Sequence, residues 1–128
     1  MPVISFKRSD LEDLLSKYFS SDEELITVLN RLKGEVEGVS GDEVTFEVTH
    51  DRPDLFSVEG IARALKGLFR IEVGLPRFKV INNGFKLIAE DVPNRPYIMM
   101  AIVRDLRLSD EAIRQMIQLQ EKLHSTYG

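Results

Sequence analysis

The chain has 128 residues, 43% of them apolar and 30% charged, which suits one ordinary domain or a small domain with part of a second. It contains no cysteine, which excludes disulfides and thiolate metal sites and agrees with a reducing compartment. No apolar run approaches the roughly 20 residues that a membrane span needs, and the N-terminus lacks an uninterrupted signal-peptide core, so we expect a cytoplasmic protein without a membrane partner.

Charge is distributed unevenly along the chain, although the net charge is only −4. Residues 1–62 are acidic, with 14 Asp and Glu against 6 Lys and Arg. Residues 63–86 hold six basic residues and one acidic residue. A basic segment in an acidic chain suits contact with phosphate or with an acidic partner, and it is also typical of a solvated helix face.

The first third of the sequence predicts a strand followed by two helices. "VISFKR" (3–8) alternates apolar and polar residues, as a half-buried strand does. Each helix begins with a serine three residues before a glutamate, the spacing of a capping box, in which both side chains accept backbone N–H groups. The two pairs are Ser9 with Glu12 and Ser21 with Glu24.

Two antiparallel strands are predicted next, in "EVEGVSGDEVTFEVTH" (35–50). The intervening "SGD" consists of residues that tolerate turn conformations. Val44, Phe46 and Val48 alternate with polar residues, which places one face of the sheet against a core and the other in water.

An Arg-Pro turn then leads into a third helix, in "THDRPDLFSVEGIARALKGLF" (49–69). Pro53 biases Arg52 toward extended backbone angles, so the chain must turn before the helix begins. Either Asp54 or Ser57 can cap the helix. These four residues are predicted to have a structural role in the turn.

The third helix carries a stripe of small residues, Gly60, Ala64 and Gly67, beside its apolar stripe. Glycine costs roughly 1 kcal/mol relative to alanine in a helix interior, so two glycines on one stripe indicate a close approach to the helix backbone. Packing within the protein is the simplest interpretation, and a partner subunit or RNA is the alternative.

A second segment is predicted beyond residue 77, after the linker-like "IEVGLPRF" (71–78). "FKVINNGFKLIAE" (78–90) predicts a hairpin with Asn83-Gly84 in its turn, and Tyr97–Val103 predicts an apolar strand. These strands and one helix would form a poor independent core, so residues 78–128 have the character of the beginning of a larger domain.

The last helix is predicted to begin at a cap formed by Ser109 or Asp110. Its apolar residues are expected to face inward, with Gln120 on or near the same stripe. These apolar residues are Ile113, Met116, Ile117 and Leu123.

The sequence lacks the usual signatures of a chemical site, including Gly-rich phosphate loops, nucleophile elbows and Cys/His metal spacings. His50 and His124 lie in different segments, without a metal-ligand pattern around either. A small hydrolase with Ser57 as nucleophile and His50 as base is one hypothesis, but a helix cap explains Ser57 more simply. We therefore predict no catalytic, cofactor-binding or metal-binding residue in this chain.

Four stretches, taken together, resemble one known family. They are "MPVISFKRSDLEDLL" (1–15), "RPDLFSVEGIARALKGL" (52–68), "RPYIMMAIVRDLRL" (95–108) and "IQLQEKLH" (117–124). In this order and at this spacing they resemble the N-terminal part of the phenylalanyl-tRNA synthetase β subunit of the archaeal and eukaryotic type. The resemblance covers essentially the whole chain. Asp51 departs from it, because the family often has Asn before Arg-Pro-Asp.

The resemblance implies an α+β fold in two parts. Residues 1–77 would be an N-terminal domain, a small antiparallel sheet packed with three helices. Residues 78–128 would be a hairpin-strand-helix segment that begins an editing domain. Because the editing pocket should lie in later segments, no catalytic residue is carried over, and we expect the chain to be a fragment of a longer subunit.

The resemblance also implies the activity and partners of a whole enzyme. That enzyme would be an α2β2 heterotetramer that attaches phenylalanine to its tRNA with ATP and Mg²⁺. Its aminoacylation site would belong to the α subunit, and its editing domain would hydrolyse tyrosine mischarged onto the same tRNA. We expect no ATP or Mg²⁺ site in the present residues and no activity of this chain alone.

Two interpretations follow. The leading one is a structural, non-catalytic segment of the synthetase β subunit, in which the turn and small residues fix a close junction. The residues of that junction are Arg52, Pro53, Asp54, Ser57, Gly60 and Gly67. The alternative is a free-standing RNA-binding or protein-interaction module that uses the basic segment 63–86. Its contacts to tRNA or to a partner would be Arg63, Lys66, Arg70, Arg77 and Lys79.

Overall fold

Three strands and four helices form the fold in a computed structural model that describes residues 1–82 and 84–128. The strands are β1 (Val3–Lys7), β2 (Gly34–Ser40) and β3 (Glu43–Val48). The helices are α1 (Arg8–Leu15), α2 (Asp22–Leu29), α3 (Val58–Leu68) and α4 (Asp110–Tyr127). Short 3₁₀ turns cover Asn30–Leu32 and Pro53–Leu55.

The sheet is antiparallel, with strand order β1-β3-β2, so that β1 and β2 are its edges. On its buried face, Ile4 lies opposite Phe46 and Phe6 lies opposite Val44. The residues that alternate with these on β1 and β3 are exposed or half-buried. The predicted sheet, wet on one face and apolar on the other, is therefore confirmed.

One apolar core lies between this sheet and helices α1, α2 and α3. Among the described residues, every buried apolar side chain of this core lies between Ile4 and Leu65. Leu11, Leu25 and Ile61 are fully buried representatives of the three helices. Burying such a side chain contributes about 1.5–3 kcal/mol. The predicted α+β architecture of a small sheet packed with three helices is thus the observed one.

The start of α1 differs from the predicted capping box. α1 begins at Arg8, so Ser9 lies inside its first turn. The Ser9 backbone N–H and hydroxyl instead donate to the carboxylate of Asp42, at 2.8 and 2.7 Å. Glu12 is buried and accepts from Arg8 Nε at 2.8 Å and from the Phe19 N–H at 2.9 Å. The capping-box prediction is wrong here because β1 runs directly into α1 and tertiary partners bind both side chains.

The start of α2 matches its prediction more closely. The Ser21 hydroxyl accepts a hydrogen bond from the Glu24 N–H at 3.2 Å. The Glu24 carboxylate accepts from the N–H and hydroxyl of Ser20, one residue before the cap, at 2.8 and 2.6 Å. Together these bonds lower the pKa of Glu24 to about 2, and the bond from the Ser20 hydroxyl has the largest effect.

The chain divides into two compact units. The first is Met1–Gly74 together with Leu108–Gly128, and the second is Leu75–Arg107. α4 therefore belongs to the first unit, although the sequence grouped it with the residues before it. The boundary near residue 77 and the assignment of 78–128 to an editing domain stay predictions.

The predicted strands of the second unit are not formed. No described residue of Leu75–Arg107 lies in a strand, which includes Tyr97–Val103, and Asn83 of the predicted turn lies outside the described residues. Large apolar side chains here are exposed, for example Phe78 and Ile88. A two-stranded hairpin is marginal by itself, because it needs a third strand or a packed helix to bury its apolar face.

The orientation of α4 is the reverse of the predicted one. Gln115 is buried, with 3% exposure, and Leu119 packs against the core. Gln120, which the sequence placed on or near the inward stripe, is exposed. The predicted inward residues are 38–54% exposed, namely Ile113, Met116, Ile117 and Leu123. Helical periodicity identified which residues share one face of α4, but not which face of the helix packs against the rest of the protein.

Candidate functional site

The Arg-Pro turn is closed by an ion pair between its own side chains. Arg52 donates from Nε to Asp54 Oδ1 at 2.9 Å and from Nη2 to Oδ2 at 2.8 Å. Its Nη1 donates to the Leu32 carbonyl at 3.3 Å. The hydrogen bonds lower the pKa of Asp54 and raise that of Arg52. The charged groups of the turn thus bind each other and a nearby backbone carbonyl.

Pro53 begins the 3₁₀ turn that follows Arg52. Leu55 and Phe56, at and after the end of this turn, have 0% exposure. The turn is therefore anchored in the core on one side while its ion pair, about one third exposed, lies toward the surface.

Ser57 is the N-cap of α3. Its hydroxyl accepts from the Gly60 N–H at 3.3 Å, and the residue is 7% exposed. Asp54 is not the cap, since its carboxylate binds Arg52. His50 is exposed, and its carbonyl accepts from the Tyr127 hydroxyl. The contacts of the described residues give Ser57 the role of a cap, and none of them joins it to His50.

Gly60 is required by the close approach of the Arg-Pro turn. A Cβ atom at Gly60 would lie 1.8 Å from the Asp54 carbonyl oxygen, far inside van der Waals contact. At Gly67 the nearest atom to such a Cβ would be the Glu72 carbonyl oxygen, at 4.0 Å, which is ordinary contact. The backbone that approaches α3 is therefore the chain's own, and the two glycines have different roles.

α3 ends in a Schellman motif. The Ile71 N–H donates to the Lys66 carbonyl at 2.9 Å, and the Arg70 N–H donates to the Gly67 carbonyl at 3.1 Å. Arg70 takes the left-handed position of the motif, with φ 57°, which usually holds glycine. The motif places the Arg70 side chain on the surface just beyond the helix.

Three of the five predicted basic contact residues lie on or next to one element. Arg63 and Arg70 are exposed, and Lys66 is half-buried, on α3 or just after it. Lys66 Nζ lies 3.7 Å from the Glu72 carboxylate, which partly neutralises it. Arg77 and Lys79 are exposed and belong to the other unit. The five residues are thus spread from the middle of α3 into the other unit.

The sequence analysis missed a polar contact between α4 and the edge of β1. The Ser5 N–H donates to Gln118 Oε1 at 2.9 Å. The Ser5 carbonyl accepts from Gln115 Nε2 at 3.0 Å and from Gln118 Nε2 at 3.2 Å. The sequence did contain a signal for this contact, because Gln115 and Gln118 lie three residues apart on the face of α4 opposite its apolar stripe.

A cleft of about 430 Å³ lies beside this contact. Its lining mixes both charges, and Lys7 lies 3.6 Å from Glu111. Burial of Asp10 raises its pKa, and the nearby charges of Glu59 and Glu111 raise it further.

Residues 1–82 and 84–128 contain no group of three or more His, Asp or Glu side chains that could hold a metal ion. No helix in the same described residues has the length and apolarity to cross a bilayer.

Sequence and structure comparisons relate the chain to the β subunits of aminoacyl-tRNA ligases. It is 54% identical to the phenylalanine–tRNA ligase β subunit of Pyrobaculum aerophilum over 128 residues, 100% of this chain and 24% of that protein. It is 50% identical to the β subunit from Thermofilum pendens, over 100% of this chain and 23% of that protein. No family model matches the chain.

The fold agrees with these sequence matches. A crystal structure of an N-terminal fragment of the phenylalanyl-tRNA synthetase β subunit from Pyrococcus horikoshii superposes with a TM-score of 0.83 and 34% identity. The match covers 99% of this chain and 38% of that one. The chain belongs to the phenylalanine–tRNA ligase β-subunit family. It spans about a quarter of the length of the curated relatives that it matches.

Proposed function

We propose that the chain serves a phenylalanine–tRNA ligase as a structural, non-catalytic part of the β subunit. The observation that carries this proposal is the 54% identity to a ligase β subunit, which extends over the whole chain. The geometry of the Arg-Pro turn supports a structural role. Arg52 and Asp54 close the turn with an ion pair, Ser57 caps the helix that follows, and Gly60 leaves room for the backbone of the turn. Glu12 is likewise bound within the fold, by Arg8 and Phe19.

The whole enzyme would attach phenylalanine to its tRNA and, through its editing domain, remove mischarged tyrosine. Its partners would be the α subunit, in an α2β2 assembly, and the tRNA. ATP and Mg²⁺ would bind outside this chain, since the family resemblance implies that the aminoacylation site belongs to the α subunit. We therefore assign no catalytic step to these residues.

A hybrid subunit tests the proposal. Residues 1–128 replace the matched stretch of the P. aerophilum β subunit, and the hybrid is produced with the P. aerophilum α subunit. We expect the hybrid enzyme to aminoacylate phenylalanine tRNA, and a subunit lacking the matched stretch not to assemble. The 128-residue chain alone should show neither aminoacylation nor deacylation of tyrosyl-tRNA. An inactive hybrid, or turnover by the isolated chain, contradicts the proposal.

A second candidate function is contact with tRNA through the basic end of α3. It is favoured by the exposure of Arg63 on α3 and of Arg70 just after that helix. Binding to phosphate would weaken steeply with salt. In a low-salt titration with tRNA, the variant with Arg63→Gln and Arg70→Gln should bind more weakly and with a smaller salt dependence. Arg31→Gln, at another exposed arginine, is the matched control, and equal binding by all three proteins excludes this function.

A further inference from the structure

The cleft beside the contact between α4 and β1 is large enough for a small molecule. Its volume is about 430 Å³, and small-molecule sites usually have roughly 300–1,000 Å³. The end of β1, the turn between β2 and β3, and the beginning of α4 form its walls. Five charged side chains line it, namely Lys7, Asp42, Glu43, Glu111 and Arg114.

Three of these charges are already bound within the protein. The Asp42 carboxylate accepts from the N–H and the hydroxyl of Ser9. Lys7 Nζ lies 3.6 Å from the Glu111 carboxylate, which also accepts from Gln115 Nε2 at 3.2 Å. The Lys7–Glu111 pair therefore links the wall formed by the sheet to the wall formed by α4.

Glu43 and Arg114 lie on different walls of the cleft, and both are exposed. Glu43 is directly opposite Lys7 in the register of β1 and β3, where opposite charges attract each other. The Lys7 ammonium binds Glu111 instead. Within residues 1–82 and 84–128, Glu43 and Arg114 are thus left without an ion-pair partner. The cleft presents a free carboxylate on the sheet and a free guanidinium on the helix.

The backbone of β1 adds a hydrogen-bond donor at the edge that borders the cleft. The N–H and carbonyl of Ser5 point to this outer edge, where α4 binds them. Alternate residues of a strand direct their peptide groups to the same edge, so the Lys7 N–H has this direction too. The next N–H, that of Arg8, donates inward to the Asp42 carbonyl at 2.7 Å.

The charges of the lining favour a ligand that carries both signs. Two cations and three carboxylates leave a balance of −1, so an anion such as phosphate meets more repulsion than attraction. A simple cation would leave the guanidinium unpaired. A guanidinium binds a carboxylate through two parallel N–H bonds, and a carboxylate accepts from an ammonium group. A free α-amino acid carries both of these groups on one carbon atom.

We propose that this cleft binds a free α-amino acid as its zwitterion. Arg114 holds the ligand carboxylate, and Glu43 accepts from the ligand ammonium group. The Lys7–Glu111 pair keeps the two walls together. This inference goes beyond the proposed structural function and does not depend on it, because every group involved belongs to the present chain.

Titration with L-alanine, followed in amide NMR spectra of the isotopically labelled 128-residue chain, tests the proposal. We expect a dissociation constant of about 1–10 mM, since a ligand of so few atoms has little binding free energy. The shifted signals should include those of Lys7, Glu43 and Arg114. Propionate lacks the ammonium group and ethylamine lacks the carboxylate, so each should bind about tenfold more weakly than alanine.

Two variants assign the contacts. Arg114→Gln should weaken binding of alanine and propionate about tenfold and leave that of ethylamine unchanged. Glu43→Gln should weaken binding of alanine and ethylamine and leave that of propionate unchanged. Glu37→Gln, at an exposed position of β2 outside the cleft, is the matched control and should bind alanine normally. All three positions are exposed, so the thermal midpoint should not change.

The expected order of affinities, with shifts confined to the cleft, supports the proposal. Absence of shifts up to about 50 mM alanine, well above the expected dissociation constant, overturns it. Propionate or phosphate that binds as tightly as alanine indicates a plain anion site and also overturns it. Equal binding of alanine by the parent chain and both cleft variants contradicts the roles of Arg114 and Glu43.

Discussion

Helices α3 and α4 are both amphipathic and both begin at a serine cap, yet they present opposite sides to the protein. α3 buries Ile61 and Leu65 in the core, whereas α4 buries Gln115 and exposes its apolar stripe. The two helices meet different surfaces. α3 lies against the apolar core, and α4 lies along the free edge of β1, where backbone N–H and C=O groups point outward.

The edge of a sheet is a polar surface that must be paired, covered or hydrated. A glutamine amide carries the same donor and acceptor as a peptide group, so Gln118 can pair with both backbone groups of Ser5. Packing on a strand edge therefore selects amides, as packing on a core selects aliphatic side chains. An amphipathic pattern alone does not say which of these surfaces the helix will meet.

The largest expected effect tests the junction of α3. Gly60→Ala should lower the free energy of unfolding by about 3 kcal/mol or more, since the new Cβ would overlap the Asp54 carbonyl and force the backbone apart. Gly67→Ala on the same helix should raise it by about 0.5–1 kcal/mol through helix propensity. Urea unfolding of both variants measures the difference. Equal effects would mean that Gly60 has no special contact.

A smaller effect is expected at the contact between α4 and β1. Gln118→Leu should cost about 1–3 kcal/mol, because the Ser5 N–H loses its acceptor. Gln120→Leu, at an exposed position of the same helix, is the matched control and should be nearly neutral. Hydrogen exchange should show faster opening of α4 in the first variant only. Unchanged exchange there would show that the glutamine contact does not hold the helix.

The C-terminal end of α3 offers a stabilising change. Arg70→Gly should raise the free energy of unfolding by about 1 kcal/mol, since glycine adopts the left-handed conformation without a Cβ clash. Arg70→Ala removes the same charge but keeps the Cβ, and it should give no such gain. Thermal unfolding of the two variants distinguishes backbone strain from charge. Arg70→Gly can also be used in the tRNA titration, because this variant loses one basic group without loss of stability.

The smallest effect concerns acid. The pKa of Asp54 in the fold lies below its usual 3.8, chiefly through its hydrogen bonds to Arg52. The stability it contributes is present above pH 3.8 and is lost as the pH falls through the folded-state pKa. Asp54→Asn should flatten this part of the stability–pH curve. The amide contacts of α4 do not titrate, so acid should weaken the junction of α3 before it loosens α4, as hydrogen exchange at pH 4 and 2.5 can determine.

Prediction from sequence succeeded where neighbouring residues decide the structure. The alternation around Phe46 identified the sheet and its wet face, and Ser57 was one of the two caps predicted for α3. Of the two glycines in the small-residue stripe, Gly60 is in close contact with another part of the backbone and Gly67 is not. The capping box at Ser9 failed because Asp42, far along the chain, is a better partner for that serine.

The fold does not bring all of the predicted basic contact residues together. Arg63 lies in the middle of α3 and Arg70 just after its end, whereas Arg77 belongs to the second unit, so adjacency in sequence did not become one surface. Sequence could not reveal the contact at Ser5, because it joins residues more than 100 positions apart. Such pairs are decided by which elements pack together, and spacing along one element contains no information about that.

The sequence by itself determined several local features of this protein: the strand alternation between residues 3 and 48, the turn at Pro53, the cap of α2 and the apolar stripes of the helices. These depend on backbone sterics and on hydrogen bonds between residues a few positions apart. Only the tertiary structure decided that the Arg-Pro turn presses on Gly60 and that α4 shows its glutamines to the edge of β1. The reason is that a helix stripe or a strand edge specifies the chemistry of its partner, while the position of that partner is set by the packing of the whole chain.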